Sequence, residues 1–496
     1  MMSSPSVMRV PTTESVIRDG DLRVVDGPSI QPLDLPTLTW TEASAIACIS
    51  LGFGIGAVMI LIFTPLVMIA PIAAFIICAA VYAIARQCCR MCKQCSVLQS
   101  EACLAMQTSR FLSCPGVHGQ NVSVHHITAV AKPQHESGIM VCHFSHGFAS
   151  NCLTWEPFFA TFERSLHGSH AGKCTQHLRL VLMAHDRPGF GLTSRPDEVD
   201  GYSDASNTRL GLYLMQQIAR RQASSRTPAS PSSAISSRSN SEEQLLLCGH
   251  SLGCAQVVRM AMAHKHAPRA LILLAPALMP CPRKWLPAWL LHVFAPAACI
   301  ASCLLMVGRR CALPAVALFL RVGAVCLRLV LFYCLHSGVF WRYTLRNAYA
   351  DPSKLDANME FRYRWVTRVK GADVGTLNYL AALCRQQLYN LWGDGESSGE
   401  QTSPGGDLWP WGASARAPMN ADDTVWRQLS ERNIPVLIVQ GNQDRVIPPF
   451  NARRLAAAMP SAELVELDGC GHNVHEECPE QLGEAIASFM RRRHVD

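Results

Sequence analysis

Leu245-Leu246-Leu247-Cys248-Gly249-His250-Ser251-Leu252-Gly253 is the stretch that decides the fold. A run of apolar residues ends in Gly-His-Ser-Leu-Gly and passes into an amphipathic segment, Cys254 to His264. That order reads as strand, sharp turn, helix. Such a turn lifts the Ser251 hydroxyl above the end of a sheet, and only small residues at Gly249 and Gly253 let strand and helix approach so closely. A free serine is a poor nucleophile, so the motif calls for a base, an acid to orient it and donors for an oxyanion. Short glycine motifs also occur as ordinary strand-to-helix turns. The rest of the chain therefore has to supply the partners.

Working outward, Ala270–Leu274 is a further strand. On the N-terminal side Asn121–Val130 alternates and reads as a first strand. Ile139–Ser145 is a short buried strand leading into His146-Gly147-Phe148. The strand His177–Ala184 runs into His185-Asp186-Arg187-Pro188-Gly189-Phe190-Gly191, and Asn207–Arg221 reads as a helix. Gln222–Ser241 is a low-complexity loop of Ser, Ala, Pro and Arg. On the C-terminal side Pro435–Gln440 is a strand ending in Gly441-Asn442-Gln443-Asp444. Ala462–Leu467 is a last strand before Asp468-Gly469-Cys470-Gly471-His472, and Cys478–Arg492 closes as a helix. Strands alternating with helices predict an α/β fold, a doubly wound and mostly parallel sheet covered on both faces.

The chemistry-bearing residues each follow a predicted strand, at the sheet edge where open α/β folds build their sites. Ser251, Asp444 and His472 stand in the order nucleophile, acid, base. His472 would take the Ser251 proton and return it, while Asp444 would fix the imidazole tautomer. The N–H groups of Phe148 and Leu252 would hold an oxyanion. His475 lies three residues past His472 and reads as a supporting or surface group, and Asp468 is a weaker candidate for the acid. Asp186 reads as a turn residue, and Cys248 and Cys254 flank the elbow without occupying its apex.

With F-S-H-G-F at 144–148, D-R-P-G-F-G at 186–191, G-H-S-L-G at 249–253, G-N-Q-D-R-V-I-P at 441–448 and G-C-G-H-N-V-H-E at 469–476, the chain resembles the α/β-hydrolase superfamily. The resemblance covers about 115–277 and 428–494. It implies a serine esterase or lipase with no metal or organic cofactor. It also implies a helical cap in residues 278–427, between the sixth strand and the acid-bearing strand. Epoxide hydrolases and dehalogenases of that superfamily carry Asp at the elbow, and Ser251 argues against their alkyl-transfer chemistry.

Outside those motifs the chain is apolar. Its 496 residues are only 16% charged, and its mean hydropathy is +0.13. Residues 1–42 read as a disordered tail. Ala43–Ala85 carries no charged residue, about twice the length one bilayer-spanning helix needs. Thr64-Pro65 and Pro71 interrupt it. Two spans or a re-entrant hairpin is the first expectation, ahead of one tilted helix or a buried helix pair. In the linker 86–114, Arg86, Arg90 and Lys93 follow at once, which places the rest of the chain in the cytosol. Cys88, Cys89, Cys92 and Cys95 among those charges are candidate palmitoylation sites, preferred over a zinc site because no partner cluster follows. The 22 cysteines otherwise sit largely inside apolar runs and read as reduced.

The net charge of +7 gathers between Leu278 and Ala350, which holds eight basic residues and no acidic one. In that region Trp285–Val307 and Ala312–Tyr333 read as apolar helices of a lid on the membrane surface, with basic residues such as Arg321 and Arg328 toward anionic headgroups. Ordinary packed helices with a solvated basic face are the alternative. Leu391–Asp423 reads as a loop within the lid. The expectation is a membrane-anchored serine hydrolase of a lipid or other hydrophobic acyl ester, facing the cytosol, with the bilayer as partner and no nucleic acid. The alternatives are an acyltransferase with the same triad, or a non-catalytic receptor or scaffold on the same fold. The sequon Asn121-Val122-Ser123 would matter only with the opposite topology.

Overall fold

Strand residues point alternately to the two faces of a sheet, and here both faces are apolar. Leu246 and Cys248 join one core cluster, whereas Leu245 and Leu247 join the other. The same alternation separates Ile272 and Leu274 from Leu271 and Leu273, and Leu437 and Val439 from Val436 and Ile438. A sheet buried on both faces needs helices on both.

The structure, a computed structural model, describes residues 98–133, 136–167, 176–224, 244–278, 328, 331–332, 334–392, 428–459 and 461–493. The strands are β1 (Arg110–Pro115), β2 (Asn121–Ala131), β3 (Gly138–Ser145), β4 (Leu178–His185), β5 (Gln244–His250), β6 (Ala270–Leu274), β7 (Val436–Gly441) and β8 (Glu463–Leu467). They form one eight-stranded sheet in the order β1-β2-β4-β3-β5-β6-β7-β8. The pairs β1–β2 and β2–β4 are antiparallel, and every other pair is parallel.

The main helices are α1 (Glu156–His167), α2 (Asp204–Ser224), α3 (Gly253–Ala263), α4 (Gly338–Ala348), α5 (Ala357–Trp365), α6 (Ala372–Trp392), α7 (Phe450–Ala458) and α8 (Pro479–Arg492). Phe158 and Phe162 of α1 and Leu482 and Ile486 of α8 pack with Phe144 on one face. Leu210 and Leu214 of α2, Val257 of α3 and Leu455 of α7 cover the other. Helix α2 starts before and ends after the expected Asn207–Arg221, reaching into the segment read as a loop.

The ordered fold also begins earlier than residue 115. All of β1 but its last residue lies in the segment read as a linker, and Leu104 is fully buried. The sequence hid β1 because it is an edge strand with Cys114 alone buried, so it shows no apolar alternation. Gln99 pairs in parallel with Val369, and Trp365 Nε1 donates to the Leu104 carbonyl at 2.7 Å.

Helices α4, α5 and α6 stand between β6 and β7, in the slot expected for an insertion. Trp341, Leu345, Tyr363 and Val366 join the core beneath them. Arg328 pairs with Asp373, its Nε 2.5 Å from Oδ2. Among the described residues no helix is long and apolar enough to cross a membrane. The expected span Ala43–Ala85, Cys88, Cys89, Cys92 and Cys95, Trp285–Val307, Arg321 and most of Leu391–Asp423 lie outside the described residues.

Candidate active site

The elbow forms as the sequence predicts. Ser251 takes φ +53°, a left-handed conformation that L-residues other than Gly, Asn and Asp seldom adopt. Strand and helix close over it because neither flanking glycine has room for a side chain. A Cβ on Gly249 would lie 2.7 Å from the Gly253 carbonyl oxygen and 2.8 Å from Cys254 Cα. A Cβ on Gly253 would strike the Ser145 carbonyl oxygen. Ser251 N–H donates to the Leu274 carbonyl at 2.9 Å, and the Ser251 carbonyl accepts from Cys254 at 3.1 Å. The strain is held in place by hydrogen bonds from the neighbouring strand and helix.

Asp444 follows β7 and faces His472, which follows β8. Asp444 Oδ2 lies 2.8 Å from His472 Nδ1. That oxygen also accepts from Gln440 Nε2 at 2.9 Å. Oδ1 accepts from the N–H groups of Val446 and Ile447, each at 2.8 Å. An ionised carboxylate only accepts, so the His472 proton sits on Nδ1 and leaves Nε2 with a lone pair. Asp468, the weaker candidate, accepts instead from Asn442 Nδ2 at the surface.

The His472 backbone is fastened on both sides. Its N–H donates to the Ala348 carbonyl at 2.6 Å. Its carbonyl accepts from His250 Nε2 at 2.9 Å, with the two rings 4.7 Å apart. His250 precedes Ser251, so this contact brings base and elbow together. Among the described residues no hydrogen bond joins the Ser251 hydroxyl to His472. In unliganded enzymes that contact is often long and closes with substrate.

The turn after β3 meets the elbow from the other side. A Cβ on Gly147 would lie 3.1 Å from Ser251 Cβ and 3.1 Å from His250 Nδ1. Phe148 is 41% exposed, so its ring stands at the surface beside the nucleophile. It packs on Phe190 at 5.5 Å and Tyr379 of α6 at 6.2 Å. Ala149 has φ +54°, a second strained residue in the same turn.

His475 is no surface group. It is 2% exposed, it stacks on Trp155 at 4.1 Å, and burial pushes its ring down to about 3. A base must change protonation near working pH, and this one stays neutral far below it. Cys248 and Cys254 are fully buried, and burial drives both thiols up.

Asp186 holds a turn, as expected. Its oxygens accept from the N–H groups of Cys152 and Leu192 at 2.6 and 2.7 Å, and His125 Nδ1 lies 2.6 Å away. Burial would raise this carboxyl, but the His125 ring, the His146 ring and the Cys152 N–H together outweigh it and hold the group low. His125, Cys152 and Asp186 place ligand atoms within 4.8 Å of one another. Backbone donors already occupy Asp186, and burial keeps Cys152 a thiol, so the donor set fits the turn better than a metal.

Gln440, His250 and the Ala348 carbonyl were not found from the sequence. Gln440 ends a strand like many others. His250 lies within the elbow motif, but its spacing gives no reason to prefer a bond to residue 472.

A model of the alpha/beta hydrolase family matches residues 144–485. The uncharacterized hydrolase YugF of Bacillus subtilis (strain 168) is 41% identical over 64 residues, 13% of this chain and 23% of that protein. The rhodomycin D methylesterase DnrP of Streptomyces peucetius is 37% identical over 68 residues, 14% of this chain and 23% of that protein. The chain thus spans under a quarter of the length of these relatives. A solved serine hydrolase involved in carbazole degradation aligns over 78% of this chain and 99% of its own, at 16% identity and a TM-score of 0.43.

Proposed function

The chain belongs to the alpha/beta hydrolase family, and from that premise we propose that it is a serine hydrolase cleaving a carboxylic ester. Ser251 Oγ attacks the ester carbonyl while His472 Nε2 takes its proton. The Phe148 and Leu252 N–H groups receive the negative oxygen. Collapse expels the alcohol, which leaves with the proton from His472. Water, deprotonated at His472, then releases the acid from the acyl-Ser251 intermediate. The observation that carries this reading is the Asp444–His472 pair at 2.8 Å, bound through His250 to an elbow strained at Ser251.

The substrate is a lipid or another hydrophobic acyl ester. Phe148, exposed in the turn that meets the elbow and backed by the buried rings of Phe190 and Tyr379, favours an apolar group there. The uncharged stretch Ala43–Ala85 and the basic, cysteine-rich flank after it support a membrane anchor, acylated at Cys88, Cys89, Cys92 or Cys95, with the hydrolase part facing the cytosol. The helices between β6 and β7 serve as a cap beside that membrane. An alkyl fluorophosphonate tests the central claim. It labels the wild type and leaves Ser251→Ala unlabelled. A wild type that resists the probe, or equal labelling of both proteins, refutes the mechanism.

A further inference from the structure

Arg187 is 1% exposed, and among the described residues no carboxylate pairs with it. Burying an unpaired cation costs several kcal/mol unless other groups take over its solvation. Here Nη2 donates to two carbonyls, His146 at 2.9 Å and Gly147 at 3.0 Å. Nη1 donates to the Tyr379 hydroxyl at 3.3 Å. The guanidinium lies 5.6 Å from the Phe190 ring centre and 5.5 Å from that of Tyr379, which suits a cation. Nε is buried without a partner. Arg187 is thus spent on the backbone of the turn that meets the elbow.

The Gly147 carbonyl is held twice, since His146 Nδ1 also lies 2.8 Å from it. The Arg187 N–H donates to His146 Nε2 at 3.2 Å, which leaves the ring proton on Nδ1 to face that carbonyl. Burial and the Arg187 charge push His146 down to about 3, so it stays neutral in this role. The Gly147 carbonyl and the Phe148 N–H belong to one peptide unit. In a trans peptide they point in opposite directions. Fixing the carbonyl on one side fixes the N–H on the other.

We propose that Arg187 is a positioning residue that locks the Gly147–Phe148 peptide with its N–H toward Ser251, and so sets oxyanion binding. The inference rests on the serine-hydrolase reading above for its effect on rate, but the lock itself is a statement about one peptide plane. Without Arg187, only His146 Nδ1 still holds the Gly147 carbonyl, and the peptide is free to rotate and turn that carbonyl toward the nucleophile. Lysine does not substitute well, because one ammonium lacks the planar fork that reaches carbonyls and tyrosine together.

Crystal structures and kinetics of Arg187→Met and Arg187→Lys test this. In Arg187→Met the peptide is expected to rotate. Fluorophosphonate labelling and kcat on p-nitrophenyl butyrate should fall about 100-fold, the effect of losing one oxyanion donor, with KM nearly unchanged. An unrotated peptide, or unchanged kcat, overturns the proposal, and so does a loss that appears in KM alone. If Arg187→Met does not fold, Arg187→Lys decides. A kcat about tenfold lower supports the lock and a wild-type kcat removes it. If the wild type itself never labels, the hydrolase reading falls, while the peptide orientation in the variant still judges the lock.

Discussion

At the scale of single residues, this site is an arrangement of acceptors and donors with few free choices. The Asp444 carboxylate is filled by Gln440, Val446, Ile447 and His472, so it can neither rotate nor take a second role. An amide at this position would present an NH2 to His472 Nδ1, forcing the ring into the other tautomer and placing its proton where the lone pair is needed. Asp444→Asn should therefore keep its fold and lose kcat by about four orders of magnitude. Circular dichroism and ester turnover measure the two halves of that statement. A loss below tenfold would mean that Asp444 does not set the tautomer.

The elements supply the distances that the residues need. β3, β5, β7 and β8 end at one edge of the sheet, and their parallel register brings the turns after Ser145, His250, Gly441 and Leu467 side by side. Glycines set how near these turns come. Gly441 lies so close to the Cys470 and Gly471 carbonyls that a Cβ would overlap them, as one on Gly253 would overlap the Ser145 carbonyl. The contact at Gly253 presses the elbow helix against the turn of His146 and Gly147. Gly253→Ala must push these two elements apart. It should cost about 1–3 kcal/mol of stability, the usual price of overpacking, and slow labelling at Ser251. A variant with the wild-type melting temperature would show that the elements adjust freely.

Over the whole molecule, the buried histidines tie stability to pH. Burial pushes His143, His146 and His475 down to about 3 and His126 to about 4, against an ordinary value of 6.5. The unfolded chain takes these protons near pH 6.5, while the folded chain refuses them until about pH 3 to 4. Between those limits the unfolded state binds more protons, so stability falls as pH falls and is complete above pH 6.5. Each group contributes a slope of about 1.4 kcal/mol per pH unit. Glu156 and Glu476, raised by burial, act in the opposite sense, but the histidines outnumber them. Asp186, held low against burial by His125, His146 and the Cys152 N–H together, adds its own loss only as pH falls below the ordinary carboxylate range, near pH 4. Urea midpoints of the full chain should be level above about pH 6.5 and drop steadily from there to pH 5. A flat profile would contradict the neutral burial of these rings.

The sequence by itself determined the alternation of strands and helices, the elbow and the order Ser251, Asp444, His472. These are local signals: apolar runs of strand length, glycines where backbones meet, and motifs that end strands. Even element limits such as Ala270–Leu274 were legible, because a strand buried on both faces is an unbroken apolar run. β1 was not, since an exposed edge strand writes no such pattern. Only the tertiary structure decided which distant groups meet. Nothing along the chain says that His250 holds the His472 carbonyl, that Ala348 takes its N–H, or that Arg187 spends its buried charge on the turn before Phe148. Such bonds satisfy backbone groups that any residue carries. Their partners are fixed by how strands and inserted helices come together, and that geometry has no sequence signature of its own.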